Sequence, residues 1–379
     1  MNKKLNICID ITSLYQKLTG IRYYIHHLIH NLAKLDTENI YYLFGGHSWK
    51  NFRGKNNYSY PENKNFRLFI NPIPSKLLPY HNLIPIEFFI GQIDLFHGTN
   101  FVLPKIKNAK KVITIHDLSF EINPEWYPPE VIKWKEYVYK SAVESDKIIA
   151  VSESTKKDII NIYGIQPEKI NVIYQSAGID IDINFSEELK TKIKQKYSLP
   201  DKYFLFTGRL EPRKNIIGLL KSFYLVKKMG IKYKLVLVGN KGWKIEETIK
   251  TINELNIQQD VIFCGYVNEN ELPVIYNLAQ VFVFPSLYEG FGHPLIEAMM
   301  YSTPIITSNI SSLPEIVGDS AILVNPSDPE QIAKSMYNLA TNENLRQEYI
   351  RRGKNRLKQF SWSKTTEQTL KIYHELLSK

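Results

Sequence analysis

Cysteine is nearly missing: the 379-residue chain has two, Cys8 and Cys264. Each lies in an apolar, strand-like run and they are far apart in sequence, so no disulfide is expected and a reducing compartment fits. Long hydrophobic runs are missing too. No window approaches the roughly 20 apolar residues that span a bilayer, and Met1-Asn2-Lys3-Lys4 leads into a short strand without the apolar segment of a secretion signal. A cytoplasmic protein is expected, soluble or peripheral on the inner face of the cell membrane. The chain also has little acid for its base, with a net charge of +10. Neither paired zinc ligands nor an RNP-type aromatic strand accompanies that charge, which argues against nucleic acid.

The charge is uneven. Residues 1–190 carry 23 basic and 20 acidic side chains, residues 191–379 carry 25 and 18. Lys105, Lys107, Lys110 and Lys111 form one basic cluster; Arg351, Arg352, Lys354, Arg356 and Lys358 form another. A solvated face accounts for either cluster. Contact with lipid phosphates is the functional alternative, since such clusters gain about 1 kcal/mol per residue near an anionic leaflet.

A chain of this length exceeds one ordinary core, so two domains are expected. Short apolar, β-branched runs alternate with helical stretches, the βα pattern of a parallel sheet. Strands are predicted at Leu5–Asp10, Leu95–His97, Val112–His116, Lys147–Val151 and Ile170–Tyr174, with helices near Ile21–Leu35 and from Ser152 to about Tyr163. The alternation restarts at Tyr203–Thr207, followed by a helix over Ile216–Lys228 capped by Asn215. Lys234–Val238, Val261–Phe263, Val281–Pro285, Pro304–Thr307 and Ala321–Val324 continue the second sheet. Strands so uniformly apolar are buried on both faces by helices.

The most informative stretch runs from Tyr288 to Met299, where Glu289 and Glu297 flank Gly290-Phe291-Gly292-His293-Pro294-Leu295. Pro294 suits the first position of a helix, with Glu297 in its first turn. The glycines leave backbone N–H groups uncovered at the helix start, where an anion can sit. Two carboxylates beside an anion seat suit a ligand carrying hydroxyls and phosphate. A lone strand–turn–helix would read as dipole complementation instead. The twelve-residue string, however, resembles the signature of retaining GT-B glycosyltransferases of the family-4 type, whose two glutamates stand eight apart.

The resemblance covers nearly the whole chain, most closely at 203–215 and 281–325. It implies an α/β GT-B fold, two Rossmann-like doubly wound domains facing a central cleft. The N-terminal, acceptor-side domain would span 1–180 and be joined by the closing helix 361–379; the nucleotide-sugar domain would span 181–360. It implies that Glu289 binds donor sugar hydroxyls and Glu297 the ribose. Gly290, Phe291, Gly292 and Leu295 line the donor seat, with Tyr266 and Val267 on the nucleobase side. After the strand Tyr203–Thr207, Arg209 and Lys214 supply one forked and one compact cation before Asn215, suited to clamping a diphosphate and offsetting the charge that grows on it. Arg213 and Glu211 read as neighbours that pair with each other. Gly20 would press backbone amides on the same phosphate, and His116, in a His-Asp element, would reach the donor sugar near its reacting carbon. His97, at another strand end, is a candidate for the acceptor side.

The chain reads as free of HExxH, CxxC pairs and an Asp-x-Asp of the sort that pins Mg²⁺ on a sugar nucleotide, so no metal and no cofactor are expected beyond the donor substrate. Leu18-Thr19-Gly20-Ile21-Arg22-Tyr23-Tyr24 and the segment 112–126 look like those of bacterial mannosyltransferases that build surface polysaccharides on a lipid carrier. GDP-mannose is therefore the first expectation for the donor and a UDP-hexose the second, with a saccharide or lipid-linked acceptor. A GT-B nucleotide-sugar epimerase and a non-catalytic polyanion-binding protein are the alternatives.

Overall fold

A computed structural model describes residues 4–15, 20–47, 58–74, 84–177 and 185–378, with the side chains of 46–47 and 71–74 excepted. The chain forms two compact units. The first comprises 1–121, 130–176 and 361–379; the second comprises Ile122–Pro129 and Ala177–Phe360.

The first unit holds seven parallel strands: β1 (Asn6–Asp10), β2 (Ile40–His47), β3 (Phe66–Pro74), β4 (Leu95–Gly98), β5 (Lys110–Ile115), β6 (Lys147–Ala150) and β7 (Ile170–Val172). Their spatial order is β3-β2-β1-β4-β5-β6-β7. β2 and β3 are absent from the sequence expectations. β3, at the sheet edge, carries Arg67 and two prolines, which only an edge strand tolerates and which disguise it as loop. Side chains alternate across the sheet with period two. Ile7 and Ile9 join the helices Gly20–Leu35 and Trp362–Leu377 on one face, while Cys8 joins Phe44, Phe96 and Ile106 on the other. Both cysteines are free thiols.

The second unit has six parallel strands: β8 (Tyr203–Thr207), β9 (Lys234–Val238), β10 (Val261–Gly265), β11 (Val281–Phe284), β12 (Ile305–Ser308) and β13 (Ala321–Val324). Their order is β10-β9-β8-β11-β12-β13. In both sheets chain order reverses once, between β1 and β4 and between β8 and β11. Open α/β sheets bind ligands beyond the carboxyl ends of the strands at such a switch point, because the flanking loops splay apart there.

The last helix packs on the first sheet. Trp362 stacks on His27, ring centroids 4.7 Å apart, and Thr365 Oγ1 donates to the Tyr174 carbonyl at 2.7 Å. A buried polar chain completes the joint. Tyr373 OH lies 2.6 Å from His97 Nδ1, His97 Nε2 lies 2.7 Å from Thr114 Oγ1, and Thr114 Oγ1 lies 3.0 Å from Tyr24 OH. His97, Thr114 and Tyr373 are all fully enclosed, so each member depends on the next for its hydrogen bonds.

Tyr373→Phe is therefore expected to cost about 1–3 kcal/mol, the desolvation penalty of a ring nitrogen left unpaired. Urea unfolding curves read this directly. An unchanged midpoint would show that His97 finds another partner.

Candidate active site

The carboxyl end of β8 is built from backbone that only glycine allows. Gly239 has φ +137°, and a Cβ there would stand 2.1 Å from the Gly208 carbonyl oxygen. The two loops therefore run in contact, and Leu210 bridges to Lys241. A single 3₁₀ turn, Pro212–Lys214, follows. Asn215, in the left-handed region, accepts the Gly218 N–H and caps the helix Ile216–Lys228. Its amide donates to the carbonyls of Pro285 (3.1 Å) and Pro326 (2.8 Å). One side chain thus ties the loop after β8 to the loop after β11.

That tie brings two cations onto one carboxylate. Lys214 Nζ lies 2.6 Å from Glu289 Oε1 and Arg213 Nη1 lies 2.9 Å from Glu289 Oε2. Arg213 also donates to the Tyr288 carbonyl at 2.7 Å and to Glu211 Oε1 at 3.1 Å. All four charged side chains are buried or nearly so. Burial alone would raise the Glu289 pKa, but Arg213 and Lys214 overcome it and bring the group down to about 2. Burial and the Arg213 charge lower the Lys214 pKa, against the pull of Glu289. Arg213 and Glu211 pair with each other as expected. The contact of Arg213 with Glu289 was not legible in the sequence, where 76 residues separate them.

Arg209 differs from both. It is exposed and forms no ion pair among the described residues. Its guanidinium lies over the Trp243 ring, 5.9 Å from the centroid. Trp243 Nε1 donates to the Trp126 carbonyl, and its ring lies beside Tyr127. The sequence offers only abundant aromatics as a clue to this group.

Two serines shape the glycine turn. Glu289 N–H donates to Ser311 Oγ at 3.1 Å, and Ser312 Oγ donates to the carbonyls of Glu289 and Phe291. Gly292, at φ +104°, precedes the helix His293–Met300. Pro294 is its second residue rather than its first, and Glu297 opens the second turn rather than lying in the first. Phe291 and Leu295 are buried, and the Leu295 N–H donates to the Gly292 carbonyl at 2.9 Å. Gly290 is buried with them.

Glu297 is the electrostatic opposite of Glu289. Its Oε2 accepts from Tyr276 OH at 2.9 Å, and that hydroxyl also lies 2.5 Å from Thr207 Oγ1. Burial pushes the group up to about 7, opposed only by the Tyr276 hydrogen bond. Two carboxylates eight residues apart are thus shifted in opposite directions, Glu289 down by its cations and Glu297 up by burial. At the end of β10, Gly265 adopts φ +65°; Tyr266 is 53% exposed while Val267 is buried.

In the first unit, His116 Nε2–H donates to the Thr99 carbonyl at 2.9 Å, which leaves Nδ1 as an acceptor. Burial lowers its pKa to about 4, against the Thr99 bond and Asp117, so the ring is neutral at physiological pH. Gly20 opens the helix Gly20–Leu35; Leu18 and Thr19 lie outside the described residues. His97 does not meet its expectation. Both ring nitrogens are engaged inside the fold and no part of it is accessible, so it holds the last helix rather than lining an acceptor site.

Of the second basic cluster, Arg352 and Arg356 are engaged within the fold, while Arg351, Lys354 and Lys358 are exposed. Arg356 donates to the carbonyls of Glu315 and Ile316, and Arg352 pairs with Glu348. Asp180-Ile181-Asp182 does have Asp-x-Asp spacing, contrary to the motif reading; it lies outside the described residues. Among the described residues no three His, Cys, Asp or Glu side chains gather as a metal site.

Residues 189–356 match the family described as Glycosyl transferases group 1, and residues 18–182 match Glycosyltransferase Family 4. Over 282 residues the chain is 33% identical to the O-antigen chain mannosyltransferase B of Escherichia coli, covering 74% of each protein. It is 31% identical over 299 residues to the E. coli serotype-specific mannosyltransferase WbdA, taking in 77% of this chain but only 36% of that longer protein. Among solved structures, sucrose-phosphate synthase from Thermosynechococcus elongatus superposes with a TM-score of 0.77 at 20% identity, covering 99% of this chain and 100% of that one. The shared architecture is the GT-B fold.

The raised Glu297 carries a pH signature. Below about pH 4.5 it is protonated folded and unfolded alike and contributes nothing. Between 4.5 and 7 the unfolded chain ionises first, so stability falls, and above 7 the loss is complete. Glu297→Gln is expected to raise the Tm of the ligand-free protein at about pH 8 and to leave it unchanged near pH 4. Equal Tm values at pH 8 would mean that the carboxylate ionises in the fold without penalty.

Proposed function

The chain belongs to the group 1 glycosyl transferases, with a family 4 N-terminal half, and from that premise we propose that it transfers mannose from GDP-mannose, with retention and without a metal ion, to a saccharide or lipid-linked saccharide in surface-polysaccharide synthesis. The names of its E. coli relatives support the mannosyl donor and the polysaccharide setting. The observation that carries the reading is the convergence of Lys214 and Arg213 on Glu289 at the β8/β11 switch.

Glu211, Arg213, Lys214 and Glu289 sum to zero charge, so Arg209, in no ion pair among the described residues, is an uncompensated cation available to a diphosphate. Lys214 joins it by exchanging its carboxylate for phosphate. The helix His293–Met300 adds the positive end of its dipole. Together they stabilise the charge that develops on the departing nucleotide diphosphate, the service a metal ion gives elsewhere. Glu297 takes the ribose hydroxyls, and the main chain at Tyr266 and Val267 takes the base.

Glu289 is the wrong kind of group for covalent attack. A carboxylate held beside buried cations has its basicity depressed, which blunts nucleophilicity while leaving lone pairs free to accept hydroxyls. Its orientation suits hydrogen bonds from sugar hydroxyls. Attack of the acceptor on the face the nucleotide leaves then gives retention without a glycosyl-enzyme intermediate.

Peripheral contact with an anionic membrane is part of the proposal. Lys105 and Lys107 are exposed. They flank a loop whose backbone is held by Ile86 and Glu87 of the turn bearing Phe88, itself 78% exposed. An aromatic side chain beside lysines suits the headgroup region.

Two outcomes are expected. In a radiolabelled panel of GDP-, UDP- and ADP-sugars, GDP-mannose is consumed with an acceptor and Lys214→Ala lowers transfer on the order of 100-fold, measured below the reduced Tm that follows when Glu289 loses a buried counter-ion. Isomerised donor without acceptor dependence would instead identify an epimerase. In flotation with phosphatidylglycerol vesicles, the double variant Lys105→Glu, Lys107→Glu loses binding that wild type shows at low salt. Equal flotation of both proteins would remove the membrane contact.

A further inference from the structure

We propose that Arg213 is a positioning residue: it is the resident counter-ion that keeps Glu289 ionised and aimed while Lys214 is drawn away to the diphosphate. The inference rests on the transferase reading above and assigns a division of labour between two adjacent cations that the sequence presents as a pair.

The two differ in how they are held. Arg213 makes three separate contacts through its guanidinium, to the Tyr288 carbonyl, Glu289 Oε2 and Glu211 Oε1. Its own carbonyl accepts the Leu287 N–H at 2.9 Å. Glu211 is itself buried, so it clamps the second amino group of the fork and stops the guanidinium from rotating. A planar fork fixed on three acceptors cannot turn to a new anion without breaking all three bonds. Lys214 is a point charge on a flexible stem. Its ammonium has one carboxylate, Glu289, at 2.6 Å, and rests 5.1 Å from the Phe284 ring. Moving it breaks one ion pair and one contact with a ring face.

Charge accounting then requires Arg213. When a diphosphate recruits Lys214, Glu289 loses half its countercharge at a site 6% exposed. A buried carboxylate without a cation takes up a proton instead of staying charged. Protonated, Glu289 becomes a hydrogen-bond donor as well as an acceptor and no longer receives two sugar hydroxyls. Arg213 prevents this because its bonds to Glu289 and Tyr288 anchor successive residues of the same turn. Ser311, bonded to the Glu289 N–H, fixes the backbone from the other side. Arg213 need touch neither sugar nor phosphate to act.

The test is the pH dependence of kcat at saturating donor, which reports groups in the donor complex. For Arg213→Gln the acid limb is expected to move to higher pH by at least about one unit, because removal of a cation raises the proton affinity of Glu289. At neutral pH kcat should fall on the order of 100-fold while KM for the donor changes less than about threefold. Arg213→Lys should recover part of the lost kcat and bring the limb back toward wild type. Lys214→Gln should show a contrasting pattern, a lowered kcat together with a raised KM and the acid limb in place. If Arg213→Gln does not fold, Glu211→Gln carries the test. It keeps both cations and the Oε1 acceptor but removes a buried negative charge beside Arg213, so the limb should move the other way, to lower pH. An active wild type whose acid limb is unmoved in Arg213→Gln or Glu211→Gln overturns this inference alone. A wild type inert toward every nucleotide sugar overturns the parent reading and this inference with it.

Discussion

The structure at the β8/β11 switch depends on one buried carboxylate held between two cations. Glu289 sits where desolvation by itself would neutralise it, and Arg213 with Lys214 reverses that balance. A buried pair of this kind is weak evidence for stability, because the cost of removing the charges from water offsets most of their attraction. Its value is positional. The ion cluster fixes Tyr288 and Glu289 against the turn after β8, and the same turn carries the cap that links the two loops. Loss of any one member leaves a charge stranded among the others, so the cluster behaves as a unit.

The glutamate eight residues on is arranged by the opposite logic. Glu297 has a single hydroxyl for company and stands at the edge of protonation. Tyr276 comes from the helix Leu272–Leu278 and Thr207 from the end of β8, so its environment is assembled from three elements of the unit. Two identical side chains from one short segment reach different proton affinities because one faces cations and the other faces a phenol. A ligand hydroxyl group meeting Glu297 gains most when the carboxylate is ionised, which ties binding to proton release around neutrality.

Much of this was legible from the chain alone, and the division follows physical reach. Strands such as β8, β9 and β13 announced themselves by uninterrupted apolar runs, and Asn215 by its place before a helical period. The Glu289/Glu297 spacing and the Arg209–Lys214 turn were readable because each lies within one short segment. What escaped depends on contacts between distant residues. β2 and β3 escaped because their glycines and prolines mimic loops. The burial of His97 requires Tyr373 from the far end of the chain. Arg213 is indistinguishable from a solvated neighbour until the loop after β11 is laid against it. The serines at 311 and 312 carry no local signal at all, since their work is to accept one N–H and to donate to two carbonyls some 20 residues away.

The bond between His97 and Tyr373 spans 276 residues. During synthesis at roughly 5–20 residues per second, the first sheet waits on the order of 15–55 s for the helix that covers it. Throughout that interval Leu28, Leu95 and the enclosed imidazole face solvent or a chaperone, while the whole second unit emerges and can fold. The domain made first is thus the one finished last. Emergence of the helix Trp362–Leu377, rather than any property of the early strands, sets the moment at which that face of the first sheet is covered.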